Sequence, residues 1–248
     1  MNTKGNTIFI TGGSAGIGLS LAGRFLREGN KVIICGRNEQ KLKDAKERFP
    51  EIETEVCDIS QERERITLVA RLLDKYPGIN VLINNAGVQQ RFHFLKSSRP
   101  WNYYQQEMVT NLEAPIHLIT LLLPHLQKQP YAAIVNVSSG LAFAPMAAAP
   151  VYCATKAALH SFTVSLRYQL AESNIEVVEI VPPMVNTDLG GPGLHQNAVS
   201  PEEFTEGVFK ALEEDIQEIG YGTSLRSMRL SREESDELAA MLNKIIPY

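Results

Sequence analysis

Thr11-Gly12-Gly13-Ser14-Ala15-Gly16-Ile17-Gly18 stands directly after the β-like run Thr7 to Ile10 and directly before the apolar-periodic run Leu19 to Leu26. Glycines at a strand-to-helix turn let the backbone come close to a pyrophosphate, which the free N–H groups at the helix start can bind. The spacing is G-x-x-x-G-x-G rather than the commoner G-x-G-x-x-G, so the turn alone is a weak sign and its context carries the reading.

Outward from this turn the chain alternates strand and helix. Strands are expected at Lys31 to Cys35, Glu53 to Cys57, Asn80 to Ile83, Ala132 to Val137, Ile175 to Val181 and, briefly, Ile219 to Gly222. Between them helical patterns run over Glu39 to Arg48, from Ser60 towards Tyr76, and over Trp101 to Leu126 with a possible kink at Pro115. Tyr152 to Glu172 is a further helix, and Ser200-Pro201-Glu202-Glu203 and Ser231-Arg232-Glu233-Glu234 read as helix starts with capping boxes. Apolar runs such as Val32 to Ile34 suit strands buried on both faces of a parallel sheet. The expected fold is α/β: a doubly wound parallel sheet of about seven strands with helices on both faces, Rossmann-like, forming a single domain over residues 1–248.

A second stretch carries chemistry. If Tyr152 opens a helix, Lys156 lies one turn on and on the same face, so an ammonium sits near a phenol. A nearby positive charge favours phenolate, which fits Tyr152 to exchange a proton with an alcohol or carbonyl. Ser138-Ser139, at the end of the apolar run Ala132 to Val137, places a hydroxyl donor upstream.

Composition excludes several classes. Of 248 residues, 44% are hydrophobic and 21% charged, which fits a globular chain with a substantial core. Net charge is −4 with both signs interspersed, so no nucleic-acid partner is expected. No apolar run reaches membrane-spanning length and no signal segment precedes the first strand, so a cytoplasmic protein without a membrane partner is expected. Cys35, Cys57 and Cys153 show no metal-ligand or disulfide spacing, and His117, His125 and His160 have no ligand partner at the right spacing, so no metal is assigned.

Asn84-Asn85-Ala86-Gly87, Asn111, Ser139 and Tyr152-x-x-x-Lys156 follow the glycine-rich turn in order. With them the chain resembles the compact, single-domain branch of the short-chain dehydrogenase/reductase family over nearly its whole length. The run G-R-N-E-x-K-L from Gly36 to Leu42 and the segment from Pro182 to Gly191 are similar to the oxidoreductases encoded with teichoic acid D-alanylation genes in Gram-positive bacteria. The resemblance implies that Gly12, Ser14, Gly16, Ile17 and Gly18 hold the pyrophosphate and adenosine ribose. It places Asp58 and Ile59 at adenine, Asn85, Ala86 and Gly87 beside the cofactor, and Val185 and Thr187 at the carboxamide. For Asn84 the competing reading is a tie between strands. The family's proton-transfer set falls on Asn111, Ser139, Tyr152 and Lys156: Tyr152 as acid or base, Ser139 polarising the reacting oxygen, Lys156 on the nicotinamide ribose and lowering the Tyr152 pKa, Asn111 holding a water. Pro182-Pro183 departs from the family's Pro-Gly.

The expected activity is NADP-dependent oxidoreduction of a carbonyl and a secondary alcohol of a small molecule. NADP(H) is preferred to NAD(H) because the acidic position after the second strand is Gly36, and Arg37 offers a cationic fork for a 2′-phosphate. Two other readings stand beside it: a dinucleotide-binding sensor without turnover, and a lyase or epimerase that recycles its cofactor. An Ala-rich face at Ala154, Ala157 and Ala158, with the family's habit of packing across two-fold axes, implies a homodimer or homotetramer.

Overall fold

The computed structural model describes residues 1–245. The described residues form seven strands, β1 (Thr7–Thr11), β2 (Lys31–Gly36), β3 (Glu53–Val56), β4 (Ile79–Asn84), β5 (Ala132–Val137), β6 (Ile175–Val181) and β7 (Glu218–Gly220). All pair in parallel in the order β3-β2-β1-β4-β5-β6-β7, so the chain reverses its direction of travel across the sheet between β1 and β4. Ligands of such sheets bind at that reversal, beyond the carboxyl ends of the strands.

Parallel neighbours need long crossovers, and helices supply them. They are α1 (Gly16–Arg27), α2 (Glu39–Arg48), α3 (Glu62–Lys75), α4 (Trp101–Met108), α5 (Ala114–Leu126), α6 (Pro150–Gln169), α7 (Pro201–Glu213), α8 (Thr223–Ser227) and α9 (Arg232–Ile245). Because side chains alternate across a strand, Ile8 and Ile10 face α1 and α7, while Phe9 faces α3 and α5. One core layer joins Leu21 and Phe25 to Phe204 and Phe209, and the other joins Leu68 and Leu72 to Leu118 and Leu122. Burying each such side chain stabilises the fold by roughly 1.5–3 kcal/mol.

The expected elements are present, with shifts that matter to the site. Helix α1 starts at Gly16, inside the glycine-rich turn, and α6 starts at Pro150, so Tyr152 lies in its first turn. Strand β7 ends at Gly220 rather than Gly222, and α8 follows it unannounced by any apolar pattern. Ser231 forms the full capping box expected of it, its Oγ accepting Glu234 N–H and its own N–H donating to Glu234 Oε2. At Ser200 only half of the box forms: its Oγ accepts Glu203 N–H, while Glu203 Oε1 accepts the Tyr221 hydroxyl at 2.8 Å. Between α4 and α5 the helix widens into a π-helical stretch, Val109–Glu113, with Ala114 N–H bound to Val109 O. The long helix over Trp101 to Leu126 is therefore interrupted two residues before Pro115. Among the described residues no helix is long and apolar enough to cross a membrane.

Candidate active site

A cleft of about 1210 Å³ runs over the carboxyl ends of the strands. Its floor is made by two turns that interlock. Gly12 has φ +65°, and a Cβ there would lie 2.8 Å from Ala86 Cα, so the turn after β1 can nest against the turn after β4 only as glycine. Thr11 Oγ1 accepts the N–H groups of Asn85 and Ala86, both at 3.1 Å, and Asn85 Nδ2 donates to the carbonyls of Thr11 and Gly12 at 3.0 and 3.1 Å. These bonds leave Gly12, Ser14, Gly16, Ile17, Asn85, Ala86 and Gly87 on the cleft wall.

Gly18, expected in the cofactor set, is not among the residues lining the cleft. It stands behind the wall, where a Cβ would meet Gly12 O at 2.5 Å and Asn85 Nδ2 at 2.4 Å, so it serves close packing of α1 onto the turn. Asn84 is likewise structural. Its Nδ2 donates to Asn136 Oδ1 at 2.9 Å, and Asn136 Nδ2 donates to Thr163 Oγ1 at 2.9 Å, a fully buried polar ladder from β4 through β5 to α6.

At the far end Arg37 lies on the cleft with Lys41 and Arg48, two cations of α2 that spacing arguments missed. Gly36 closes β2, and a Cβ there would lie 3.1 Å from Ser14 Oγ. Asp58 and Ile59 line the same end. Asp58 Oδ1 accepts Ser60 N–H at 3.0 Å, and the Ile59 carbonyl accepts Arg65 Nη1 at 2.7 Å. Arg65 is fully buried, paired with Glu113 at 2.7 Å and donating to His117 Nδ1 at 2.9 Å, which fixes the Ile59 turn from below.

The other end brings together Ser139, Tyr152 and Lys156. Strand β5 delivers Ser139, whose Oγ accepts Leu141 N–H at 3.2 Å and bonds to the Tyr152 phenol. Ser138 lines the cleft too, but its hydroxyl has no partner among the described residues. Burial pushes the Tyr152 phenol above its ordinary range, and the Ser139 bond acts against that rise. Lys156 Nζ lies 5.7 Å from the centroid of the Tyr152 ring and donates to Val137 O at 2.8 Å. Burial lowers Lys156 to about 8, with Glu179 and Glu107 acting upward.

Asn111 lies behind this group, fully buried and off the cleft wall. Its side chain is spent: Oδ1 accepts Val88 N–H at 2.9 Å, and Nδ2 donates to Val88 O at 2.8 Å and Thr155 Oγ1 at 3.2 Å. Val185 and Thr187 flank the cleft where the chain leaves β6, and Pro182 O accepts Gly140 N–H at 2.9 Å. His195 is buried there, within 3.2 Å of Thr187 O. Cys153 is a buried thiol, raised by burial and held on Met146, which removes it as a nucleophile.

His160 gains a partner that sequence spacing does not show. Its Nδ1 sits 2.8 Å from the fully buried Glu179, with Glu218 close by, and the three ligand atoms lie within 4.8 Å of one another. Glu179 is the main cause of the raised His160 pKa, the mark of an ion pair.

A family model for the short chain dehydrogenases matches residues 6–197. The chain belongs to this family. It is 49% identical over 224 residues to a Bacillus subtilis protein named as the uncharacterized oxidoreductase DltE, covering 88% of this chain and 89% of that one. Among solved structures, a short chain dehydrogenase of Burkholderia cenocepacia in complex with NADP is 25% identical, covers 100% of both chains and has a TM-score of 0.83. A short chain dehydrogenase/reductase of Burkholderia phymatum in complex with NAD has the same fold, with a TM-score of 0.82, 21% identity and coverage of 100% and 99%. This short-chain dehydrogenase is therefore an NAD(P)-dependent oxidoreductase of Rossmann-like fold.

Proposed function

We propose that this short-chain dehydrogenase interconverts a small-molecule carbonyl and a secondary alcohol, with NADP(H) preferred to NAD(H). The observation that carries the reading is the single cleft that has glycine-turn N–H groups and three cations at one end and Ser139, Tyr152 and Lys156 at the other. The residues present fit a dinucleotide: Gly12, Ser14, Gly16 and Ile17 line the cleft at the start of α1, where free backbone N–H groups suit a pyrophosphate. Bound there, the nicotinamide exchanges hydride with the substrate carbon. Arg37, Lys41 and Arg48 hold the adenosine phosphate end, Asp58 and Ile59 the base, and Val185 and Thr187 the carboxamide.

Tyr152 gives its proton to the substrate oxygen. Burial keeps its phenol protonated at neutral pH, the form that acts as acid when a carbonyl is reduced. Ser139 donates a second hydrogen bond to the same oxygen, and Lys156 orients the ribose. Asn111 acts through its main chain. Its carbonyl lacks the ordinary helical partner because residue 115 is proline, so it holds the water that restores the Tyr152 proton.

The same proposal takes residues 1–248 as one domain, active in the cytoplasm as a homodimer or homotetramer, without metal, nucleic acid or membrane partner. Exposed Ala154 and partly exposed Ala157 and Ala158 support the oligomer, and sedimentation at micromolar concentration tests it. For the reaction, NADPH is mixed with a broad carbonyl panel and the absorbance of the reduced nicotinamide is followed. Binding without oxidation on every panel member identifies a sensor, and conversion without net cofactor change identifies a lyase or epimerase.

A further inference from the structure

Glu107 has no part in the chemistry above, yet it is a fully buried carboxylate beside the same site. It lies near the end of α4, four residues before Asn111. Its Oε1 accepts Gln90 N–H at 3.0 Å, while Asn111 takes Val88 N–H at 2.9 Å and Val88 O at 2.8 Å. Residues 107 and 111 therefore hold the segment after β4 at two points, Gln90 and Val88. Val88, Gln89 and Gln90 line the cleft. Gln89 also abuts the segment after β6: a Cβ at Gly190 would lie 2.8 Å from Gln89 Oε1. Whatever fixes Val88 to Gln90 fixes the substrate-side wall.

A glutamine at 107 would accept the Gln90 N–H without the desolvation cost of a buried charge. Glu107 Oε2 has no partner among the described residues, so a second hydrogen bond does not account for the carboxylate. Its charge acts elsewhere. Lys156 is the charged group that acts on Glu107, and Glu107 in turn raises Lys156 and bears on Tyr152 and Cys153, all three on α6.

We propose that Glu107 is a positioning residue: its carboxylate clamps the Val88 to Gln90 wall of the substrate side, and when ionised it supports the charged state of Lys156. Burial places its carboxyl at about 7, with the Gln90 N–H and Lys156 acting downward, so the clamp titrates in the physiological range. Only the kinetic arm of the test rests on the carbonyl-reductase reading.

The test is amide NMR of uniformly ¹⁵N-labelled protein, wild type and Glu107→Gln, from pH 5.5 to 8.5. The expected result is a Gln90 amide resonance that moves with a midpoint near pH 7 in wild type and stays still in Glu107→Gln. In Glu107→Gln the substrate KM should rise roughly threefold to tenfold, NADPH affinity should change less than twofold, and the alkaline limb of kcat/KM should move to lower pH. A Gln90 amide that does not titrate in wild type, or titrates alike in Glu107→Gln, overturns the proposal. So does an unmoved KM and alkaline limb in an active Glu107→Gln enzyme. Titration as expected in a protein that oxidises NADPH with no carbonyl leaves the clamp standing and removes the carbonyl-reductase reading instead.

Discussion

Asn111 and Pro115 stand four residues apart on one helical run, and proline has no N–H, so the Asn111 carbonyl is deprived of its ordinary α-helical donor. The chain answers by widening into the π-helical stretch Val109–Glu113, a device that often marks functional sites. Pro115→Ala would return the donor. Its expected outcome is a protein at least as stable in thermal melts, with kcat for carbonyl reduction lowered about tenfold and NADPH affinity retained, because the carbonyl is drawn back into the helix.

Tyr152→Phe removes only the proton-carrying hydroxyl while the ring still packs with Met146 and Cys153. Turnover should fall by at least about a hundredfold, the usual contribution of a positioned acid, with NADPH binding little changed. Isothermal titration with NADPH beside steady-state rates separates the two. Near wild-type rates on a substrate that needs protonation would remove Tyr152 from its role.

Lys156 sets an alkaline limit. An amine is charged below its pKa, and burial lowers this one to about 8 from the 10.5 of an exposed lysine. The ammonium proposed to orient the ribose is therefore lost as pH rises through about 8, and kcat/KM for reduction should decline there rather than near 10.5. The pH–rate profile measures this directly. A profile flat to pH 10 would show that the charge is not needed.

Asn84 provides the contrast between a site residue and a residue near the site. Asn84→Ala leaves Asn136 Oδ1 without its donor in a fully buried ladder, which should cost about 1–3 kcal/mol in chemical denaturation. The KM for NADPH should stay within about twofold, since Asn84 is not on the cleft wall.

The sheet was legible because strands such as Ile8 to Ile10 and Val32 to Ile34 carry apolar side chains to both faces, and because each motif falls at a strand's carboxyl end. Tyr152 and Lys156 share a helical face as Tyr-x-x-x-Lys predicts, and the apolar run of β5 leads to the Ser138-Ser139 pair, from which the family resemblance singles out Ser139. What stayed hidden depends on side chains meeting across elements. Arg65 reads as one charge in a charged helix, and only the pairing with Glu113 from the widened helix allows its burial. Glu107 and Glu179 carry no local pattern at all. Each is buried because another element covers it, and the influence of both on Lys156 is a property of the folded cleft. Lys41 and Arg48 were missed for the opposite reason. Polar positions on α2 look like an ordinary solvated face until the crossover turns that face towards the adenosine end.

The last prediction concerns the choice of dinucleotide. A carboxylate after the second strand binds both ribose hydroxyls of NAD and repels a 2′-phosphate; here that position is Gly36, with Ser14 so close that an added Cβ would sit 3.1 Å from its Oγ. Three cations line the same end: Arg37, which is exposed, and Lys41 and Arg48 from α2. Arg48 is half committed, since its guanidinium lies 3.5 Å from Glu202 and stacks on Phe49 at 5.2 Å. Lys41 gives its backbone N–H to the Asn38 cap at 2.9 Å, and among the described residues its ammonium has no partner, so it is available to share the phosphate charge. Arg37 is then the principal ligand and Lys41 the secondary one, because a planar fork matches a phosphate better than a point charge. A hydrogen bond to a charged group is worth about 1.5–3 kcal/mol, so Arg37→Ala should weaken NADPH by roughly tenfold to a hundredfold. Lys41→Ala should weaken it less, by about threefold to tenfold, and more at low salt than at high salt because the contact is exposed and screened. Neither change should alter NADH binding by more than about twofold, since NADH carries no phosphate there. The measurement is kcat/KM for both cofactors in wild type and each variant at two ionic strengths. A wild-type preference for NADH, or equal losses for the two cofactors in Arg37→Ala, would sink the assignment.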